Sequence, residues 1–376
     1  MKISNMPRPK ISWWLISFTA LLFSVVVVND LIADFQEGGR PWGQGDWLIN
    51  NMPGLVRRGF IGQGLIWISD SFALDLLLVT IALQIFMSLI MIWFIWGCFQ
   101  MVINRPERAT VLFLPPFYPM MMVSDFNGML FKDIIAISSL AVLTWSSFAP
   151  NRWGGIVLGC FLIVVAFFAH EALVLFLPVA LYLLSKALKG ASFYVISVGL
   201  TACAGAAFIF AATHSTGDAV AICDTLLTRG LDQHMCAGPI GHLNGSLAEA
   251  MAAVYEEKIL TGLWLHYFFG YAVSVAVVAV LWNRSAKEML IISVLTLMPF
   301  LPLFVVATDF GRWFSFAFMS LIFVTLVRGD AALKHPTFSY GVAACTVMVS
   351  LLITYDGTGG VYVSGLANRA ASLLGL

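Results

Sequence analysis

The chain has 376 residues, of which 60% are hydrophobic and 11% are charged, and its formal net charge is zero. Soluble domains carry about 25% charged residues, so this composition excludes an ordinary soluble protein and predicts an integral membrane protein. A neutral chain also gives no reason to expect a nucleic-acid partner.

Apolar runs that match the thickness of a bilayer recur along the whole chain. A hydrocarbon core of about 30 Å requires about 20 apolar residues at a rise of about 1.5 Å per residue. We therefore predict an all-α fold, a polytopic transmembrane helical bundle of about eleven spans that forms one integral membrane domain over 1–376. The predicted spans are 11–33, 73–98, 109–124, 133–149, 154–169, 172–185, 191–213, 262–282, 289–307, 312–327 and 338–355.

The basic residues predict the orientation, because cytoplasmic loops retain Lys and Arg near the ends of spans. The first run follows Lys2, Arg8 and Lys10, and it is too long for a cleaved signal peptide, so we interpret it as an anchor with a cytoplasmic N-terminus. Alternation from there places the C-terminus outside. Every inner loop is then basic, with Arg105, Arg108, Arg152, Lys186, Lys189, Arg284, Lys287, Arg328 and Lys334.

Two segments on the outer side are long enough to fold on the membrane surface, 34–72 and 214–261. In the first, a glycine-rich acidic turn precedes 55–68, where the pattern is typical of an amphipathic helix lying in the headgroup layer. The second, longer segment contains a predicted helix over 247–260. It also holds Cys223 and Cys236, which could form a disulfide in an oxidising periplasm or could remain unpaired.

Acidic residues concentrate on the outer side, where all but three of the 20 lie. Charges at the ends of spans are costly and raise the hypothesis of a functional site. Structural alternatives are ion pairs at helix ends, lipid-anchoring arginines and a capped helical turn at His170. Four clusters stand out: Arg57 with Arg58; Asp125, Lys132 and Asp133; His170 with Glu171; and Asp309 with Arg312.

These side chains are suited to a reaction of an anionic lipid phosphate with a neutral acceptor. Arginine binds phosphate through paired hydrogen bonds, and a carboxylate or histidine can take a proton from an attacking hydroxyl. Glycosyl transfer from a polyprenyl carrier requires both functions. We therefore expect Arg57, Arg58, Lys132, His170, Glu171, Asp309 and Arg312 to converge on one outward-facing cavity.

The motifs VRRGFIG, FKD, HE and DFGRW, together with the many spans and the acidic first outer loop, resemble bacterial envelope-polysaccharide enzymes. These are the GT-C glycosyltransferases and the O-antigen or exopolysaccharide polymerases. The resemblance implies a multi-pass protein of the bacterial inner membrane. It also implies a donor sugar on polyprenyl phosphate or pyrophosphate, a glycan or lipid-linked acceptor, membrane lipids as surroundings and transfer on the periplasmic face.

The resemblance also suggests roles for individual residues. A first-loop carboxylate is the expected base, which indicates Asp34, Glu37 or Asp46, while His170 and Glu171 are further catalytic candidates from their position. Lipid phosphate is expected to bind Arg57, Arg58, Lys132 and Arg312, with Asp125, Asp133 and Asp309 in support. The histidines of the second outer segment match no compact ligand spacing, so we expect neither a metal nor a cofactor.

The main alternative is a transporter or flippase for an anionic lipid or solute, because charges inside membranes also line transport pathways. A non-catalytic assembly partner is a third interpretation. A transporter favours polar groups at mid-depth in several helices, and often an internal repeat. Here the charged groups gather at one face and no repeat is visible. The pattern therefore favours an enzyme.

Overall fold

A computed structural model describes residues 10–102, 106–124, 130–215, 217–328, 341–346, 354–355 and 361–362. Its fold is all-helical apart from a two-residue antiparallel pairing of Thr354–Tyr355 with Val361–Tyr362. The α-helices are α1 Lys10–Gln36, α2 Gln44–Trp47, α3 Gly59–Phe72, α4 Leu76–Val102, α5 Tyr118–Ser124, α6 Asp133–Ser146, α7 Arg152–Ala169, α8 Leu177–Ala187, α9 Ala191–Thr213, α10 Ala219–Leu227, α11 Leu247–Val254, α12 Leu263–Leu281, α13 Ala286–Leu297, α14 Leu303–Val306 and α15 Phe310–Val327.

Short 3-10 helices and one π-helical turn extend or interrupt this series. The 3-10 helices are Pro106–Phe113, Glu171–Phe176, Gln233–Ala237 and Met298–Phe300, and the π-helical turn is Tyr255–Ile259. Residues 341–346 are also helical.

Six of the described helices are long and apolar enough to cross a membrane. They are Ile16–Gln36, Leu76–Met101, Arg152–Ala169, Ala191–Thr213, Leu263–Leu281 and Phe310–Val327.

Other predicted spans are short or broken. The run 109–124 divides at Pro115 and Pro116, which lack the backbone N–H that a helix needs. The runs 172–185 and 289–307 each contain a 3-10 helix, and α6 has only 14 residues. Most of 338–355 lies outside the described residues.

The core of the bundle consists of α6 and α15, whose side chains are buried on almost every side. α6 packs against α4 and α7, and α15 packs against α6, α8, α12 and α13. Glycines on α7 allow the close approach to α6, because a methyl group at Gly155 or Gly159 would meet Ser146 or Leu143. The N-terminal ends of α6 and α15 are therefore fixed side by side.

The segment 214–261 packs onto the segment 34–72. The His214 carbonyl accepts a hydrogen bond from the Arg57 backbone N–H at 2.8 Å, and Asn50 Nδ2 donates to Thr225 Oγ1 at 3.1 Å. The Arg229 guanidinium binds both carboxylate oxygens of Asp70, at 3.0 and 2.8 Å. These contacts fix the loop that carries Arg57.

A disulfide joins Cys223 in α10 to Cys236, with their Cα atoms 5.7 Å apart. It closes a loop over a sequence separation of 13, which removes conformational entropy from the unfolded chain. The pairing therefore stiffens the second outer segment.

Removing this disulfide with the paired substitutions Cys223→Ser and Cys236→Ser should lower the free energy of unfolding by about 3 kcal/mol. The thermal midpoint of the purified protein measures the effect. Cys345→Ser is the control, since Cys345 is an exposed free cysteine. An unchanged midpoint after full reduction would contradict a stabilising disulfide.

Candidate functional site

The motif VRRGFIG forms the turn that leads into α3. Arg58 adopts a left-handed backbone conformation with φ +66°, directly before the first residue of α3. A non-glycine residue rarely adopts this conformation, and such residues often occur at functional sites. Gly59 and Gly62 allow α3 to lie on the segment before it, since added methyl groups would meet the Asn51 side chain and the Ile49 carbonyl.

Gly62→Ala should therefore destabilise the protein by about 1–3 kcal/mol, because the clash involves backbone that cannot rotate away. Gly64→Ala is a matched control in the same helix, since a methyl group there meets no atom within 4 Å. We expect Gly64→Ala to raise the thermal midpoint slightly, through its better helix propensity. Equal midpoints for the two variants would contradict the close packing of α3.

The turn directs both arginines at Glu171. Arg58 Nε lies 3.1 and 2.9 Å from the two carboxylate oxygens, and Arg58 Nη2 lies 2.5 Å from Oε1. Arg57 Nη1 lies 3.6 Å from Oε1. Burial raises the pKa of Glu171, but the positive charges of Arg58 and Arg57 outweigh it and hold that pKa well below its ordinary value. Glu171 is thus a permanently ionised counter-ion of the arginines.

His170 ends α7 with an extended backbone and caps the 3-10 helix that follows. Its Nδ1 accepts a hydrogen bond from the Ala172 backbone N–H at 3.1 Å, so the ring hydrogen is on Nε2. Burial and the positive charge of Arg58 lower the pKa of His170 to about 3. The imidazole is therefore neutral and acts as a hydrogen-bond donor. The capped turn, one of the structural alternatives for His170, is present.

Lys132 and Asp46 lie close to the turn that carries Arg57 and Arg58. The Lys132 side chain is fully buried and donates a hydrogen bond to the Arg58 carbonyl at 2.9 Å, so its ammonium group does not pair with the adjacent Asp133. Burial lowers the pKa of Lys132 to about 8, against the raising effect of Asp46. For Asp46, burial raises the pKa, but the positive charges of Lys132, Arg58 and Arg312 together hold it below the ordinary value.

Arg312 forms a second group of ion pairs at the N-terminal end of α15. Its guanidinium binds Asp133 Oδ2 at 3.0 Å through Nε and 2.6 Å through Nη2, and binds Asp309 Oδ2 at 2.6 Å through Nη1. The guanidinium carbon also lies 3.7 Å from the centre of the Phe131 ring. Arg312 is 4% exposed, so two carboxylates and an aromatic face neutralise a charge held out of water.

These residues form one charge cluster, although they lie far apart in sequence. Arg58 and Glu171 are 113 positions apart, and Asp133 and Arg312 are 179 apart. Lys132 and Asp46 link the two ion-paired groups, because Asp46 experiences the charges of Lys132, Arg58 and Arg312. The charge cluster consists of Asp46, Arg57, Arg58, Lys132, Asp133, His170, Glu171, Asp309 and Arg312. Its four cations balance its four carboxylates.

Several buried polar atoms at the charge cluster have no hydrogen-bond partner among the described residues. They are Asp46 Oδ2, Arg57 Nε, Asp133 Oδ1 and the hydroxyl of Tyr118. Buried polar groups in native proteins are almost always paired, so each such atom requires an explanation. Two acceptors, one donor and one hydroxyl are therefore available for a polar ligand.

The other two first-loop candidates lie apart from the charge cluster. Asp34 is buried against Arg40 at 2.6 Å and accepts a hydrogen bond from Gln44 at 3.1 Å. Glu37 is exposed, 4.0 Å from Arg40. Asp125 lies outside the described residues. Asp46 is therefore the first-loop carboxylate on which the charges of Lys132, Arg58 and Arg312 act.

Sequence reasoning missed several residues that build this site. Gln44 Nε2 donates a hydrogen bond to Gln84 Oε1 at 3.0 Å, and Gln84 Nε2 donates to the Leu130 carbonyl at 3.0 Å. Trp47 Nε1 donates to the same carbonyl at 2.6 Å. Gln84 could have been found from the sequence, because a glutamine inside the long apolar run of α4 is unusual and indicates a polar contact. Tyr118 could not, because it lies between prolines in an apolar run.

Comparisons with protein-family models, curated proteins and solved structures gave no match to this chain. Across the described ranges, no group of three or more His, Cys, Asp or Glu side chains is arranged to hold a metal ion.

Proposed function

We propose that this protein is an integral membrane glycosyltransferase that transfers or polymerises sugars from a polyprenyl (pyro)phosphate donor. The proposal places the charge cluster on the periplasmic face of a bacterial inner membrane, in the synthesis of a cell-surface polysaccharide. The observation that carries it is the charge cluster itself, where cations that suit a phosphate adjoin the buried carboxylate of Asp46, which can take a proton from a hydroxyl.

Arg57 is the proposed primary ligand of the donor phosphate. Its side chain is 26% exposed, its nearest carboxylate contact is 3.6 Å, and its Nε has no hydrogen-bond partner among the described residues. The guanidinium groups of Arg58 and Arg312 already bind carboxylates closely. They therefore contribute positive charge near the phosphate but do not bind it through paired hydrogen bonds. Lys132 adds a positive charge next to the turn, where its ammonium group binds the Arg58 carbonyl.

Asp46 is the proposed base. In the transfer, the acceptor hydroxyl gives its proton to Asp46 as its oxygen bonds to the anomeric carbon of the donor sugar. The bond from that carbon to the phosphate oxygen breaks, and its electron pair leaves with the polyprenyl (pyro)phosphate. Arg57 and Lys132 stabilise the charge that develops on the leaving phosphate. The proton then passes to water.

The topology of the proposal has about eleven spans, with the N-terminus inside and the C-terminus outside, as the basic loops predict. Single-cysteine labelling with an impermeant reagent in intact cells tests this orientation. A cysteine at Ser246 should react, and one at Ser285 should be protected until the membrane is permeabilised. The reverse pattern would place the charge cluster in the cytoplasm and defeat a periplasmic reaction.

A deletion and complementation experiment tests the activity whichever sugar is transferred. Loss of the protein should shorten or abolish a surface glycan and cause its polyprenyl-linked precursor to accumulate on the periplasmic face. Wild-type protein should restore the glycan, Arg57→Ala should not, and Arg57→Lys should restore it in part because lysine cannot make the paired contact. Precursor trapped on the cytoplasmic face would instead indicate a flippase.

A further inference from the structure

Tyr118 lies beside the charge cluster, at the start of α5. Its side chain is fully buried, and its ring centre lies 6.2 Å from that of Phe316, one helical turn beyond Arg312 in α15. The hydroxyl is close enough to Asp133, Arg312 and Asp46 for their charges to act on it. Tyr118 therefore lies near the ion pair of Arg312 with Asp133.

The hydroxyl of Tyr118 and Asp133 Oδ1 are both buried without a hydrogen-bond partner among the described residues. Asp133 is paired with Arg312 through its other oxygen. At neutral pH the carboxylate is ionised, although burial raises its pKa to about 6, so its Oδ1 can only accept. Burying such an atom without a partner is unfavourable, and a bound donor would remove that cost. The ligand at this place must therefore supply hydrogen atoms.

This requirement separates the possible ligands. A phosphate oxygen has no hydrogen to donate and would meet the negative charge of Asp133. A metal cation would meet the positive charge of Arg312 on Asp133, and the described residues include no group of three or more His, Cys, Asp or Glu side chains that could hold one. A neutral polyhydroxyl group has the required donors, and it can also accept from the Tyr118 hydroxyl.

We infer that the Tyr118 hydroxyl and Asp133 Oδ1 bind hydroxyl groups of the transferred sugar and so determine which sugar is accepted. This inference rests on the proposed function. The donor then lies across the charge cluster, with its phosphate at Arg57 and its sugar at Tyr118 and Asp133. Asp46 stays available to the incoming acceptor hydroxyl.

Binding of two kinds of lipid to the purified full chain in nanodiscs tests the inference. One probe is sugar-free polyprenyl phosphate; the other is a panel of polyprenyl phosphates that carry a hexose, a deoxyhexose, an N-acetylhexosamine, a hexuronic acid or a pentose. Tyr118→Phe should weaken the tightest glycosylated probe about tenfold, which corresponds to about 1.4 kcal/mol, and change the sugar-free probe less than about twofold.

Tyr271→Phe is the matched control, since its hydroxyl is buried and paired with Ser293 at 2.9 Å. It should lower the thermal midpoint of the ligand-free protein and leave both affinities unchanged. Tyr118→Phe should leave that midpoint unchanged or raise it, because it removes an unpaired buried hydroxyl. This readout separates a ligand-binding hydroxyl from one that only supports the fold.

Three results would overturn the inference: equal weakening of both probes by Tyr118→Phe, no weakening of either, or no glycosylated probe that binds more tightly than the sugar-free lipid. Failure of the proposed function looks different. In that case wild-type protein would bind the sugar-free lipid no better than Arg57→Ala does, and the inference would fall with it.

Discussion

Asp46→Asn is expected to lower the rate of glycosyl transfer about 10²- to 10⁴-fold, the usual contribution of a general base. Asparagine keeps the shape of the buried side chain and removes its capacity to take a proton. The rate is measured on the full chain in nanodiscs with the polyprenyl-linked donor that the complementation experiment identifies.

Glu37→Gln is the control for this experiment, since Glu37 is an exposed carboxylate of the same loop. It should transfer sugar at the wild-type rate, and both variants should keep wild-type abundance. An Asp46→Asn rate within about threefold of wild type would remove Asp46 from the chemistry, because a base that contributes so little does not meet the range above.

Arg312→Ala should destabilise the protein by about 3–5 kcal/mol, the largest stability effect that the charge cluster predicts. The substitution would leave Asp133 and Asp309 without their shared counter-ion, and Asp133 is 1% exposed. Fluorescence-detected size exclusion and the thermal midpoint measure the loss. Adding Asp133→Asn should recover part of it, because the uncompensated charge is then removed.

Arg328→Ala is the matched control, because Arg328 pairs with Glu288 at 3.0 Å but its side chain is 40% exposed. Exposed ion pairs contribute at most about 1 kcal/mol, so its midpoint should change little. A wild-type midpoint for Arg312→Ala would contradict the buried ion-pair network.

Apart from Asp46, the residues of the charge cluster were predictable from sequence because each is a polar or charged residue at the end of an apolar run, where such groups are costly. Asp46 was one of three first-loop carboxylates that the resemblance indicated. Their pairing was not predictable. Arg58 could have paired with Asp46 or Asp309 as easily as with Glu171, since nothing in the local sequence encodes a contact across 113 positions. Of the ion pairs at helix ends that were the structural alternative, Asp309–Arg312 is present. Lys132 instead donates a hydrogen bond to the Arg58 carbonyl and forms no ion pair with Asp133.

The spans were predictable where the apolar runs are long and free of proline, as in α4, α9 and α12. They were least predictable where prolines divide an apolar run. Hydropathy depends on side chains and does not show that proline lacks the backbone N–H needed to continue a helix. For the same reason Tyr118 was not predicted as a site residue. It follows Pro115 and Pro116 in an apolar stretch that resembles the buried core of a membrane bundle.

A structure of the protein in nanodiscs with undecaprenyl phosphate tests the central claim most directly. We expect headgroup density at the charge cluster, with a phosphate oxygen about 3 Å from Arg57 Nε. Two results would contradict this expectation. One is a headgroup bound at the opposite end of the bundle, near Arg284 and Arg328. The other is a headgroup more than about 15 Å from Arg57, a distance at which the arginine cannot contact the reacting phosphate.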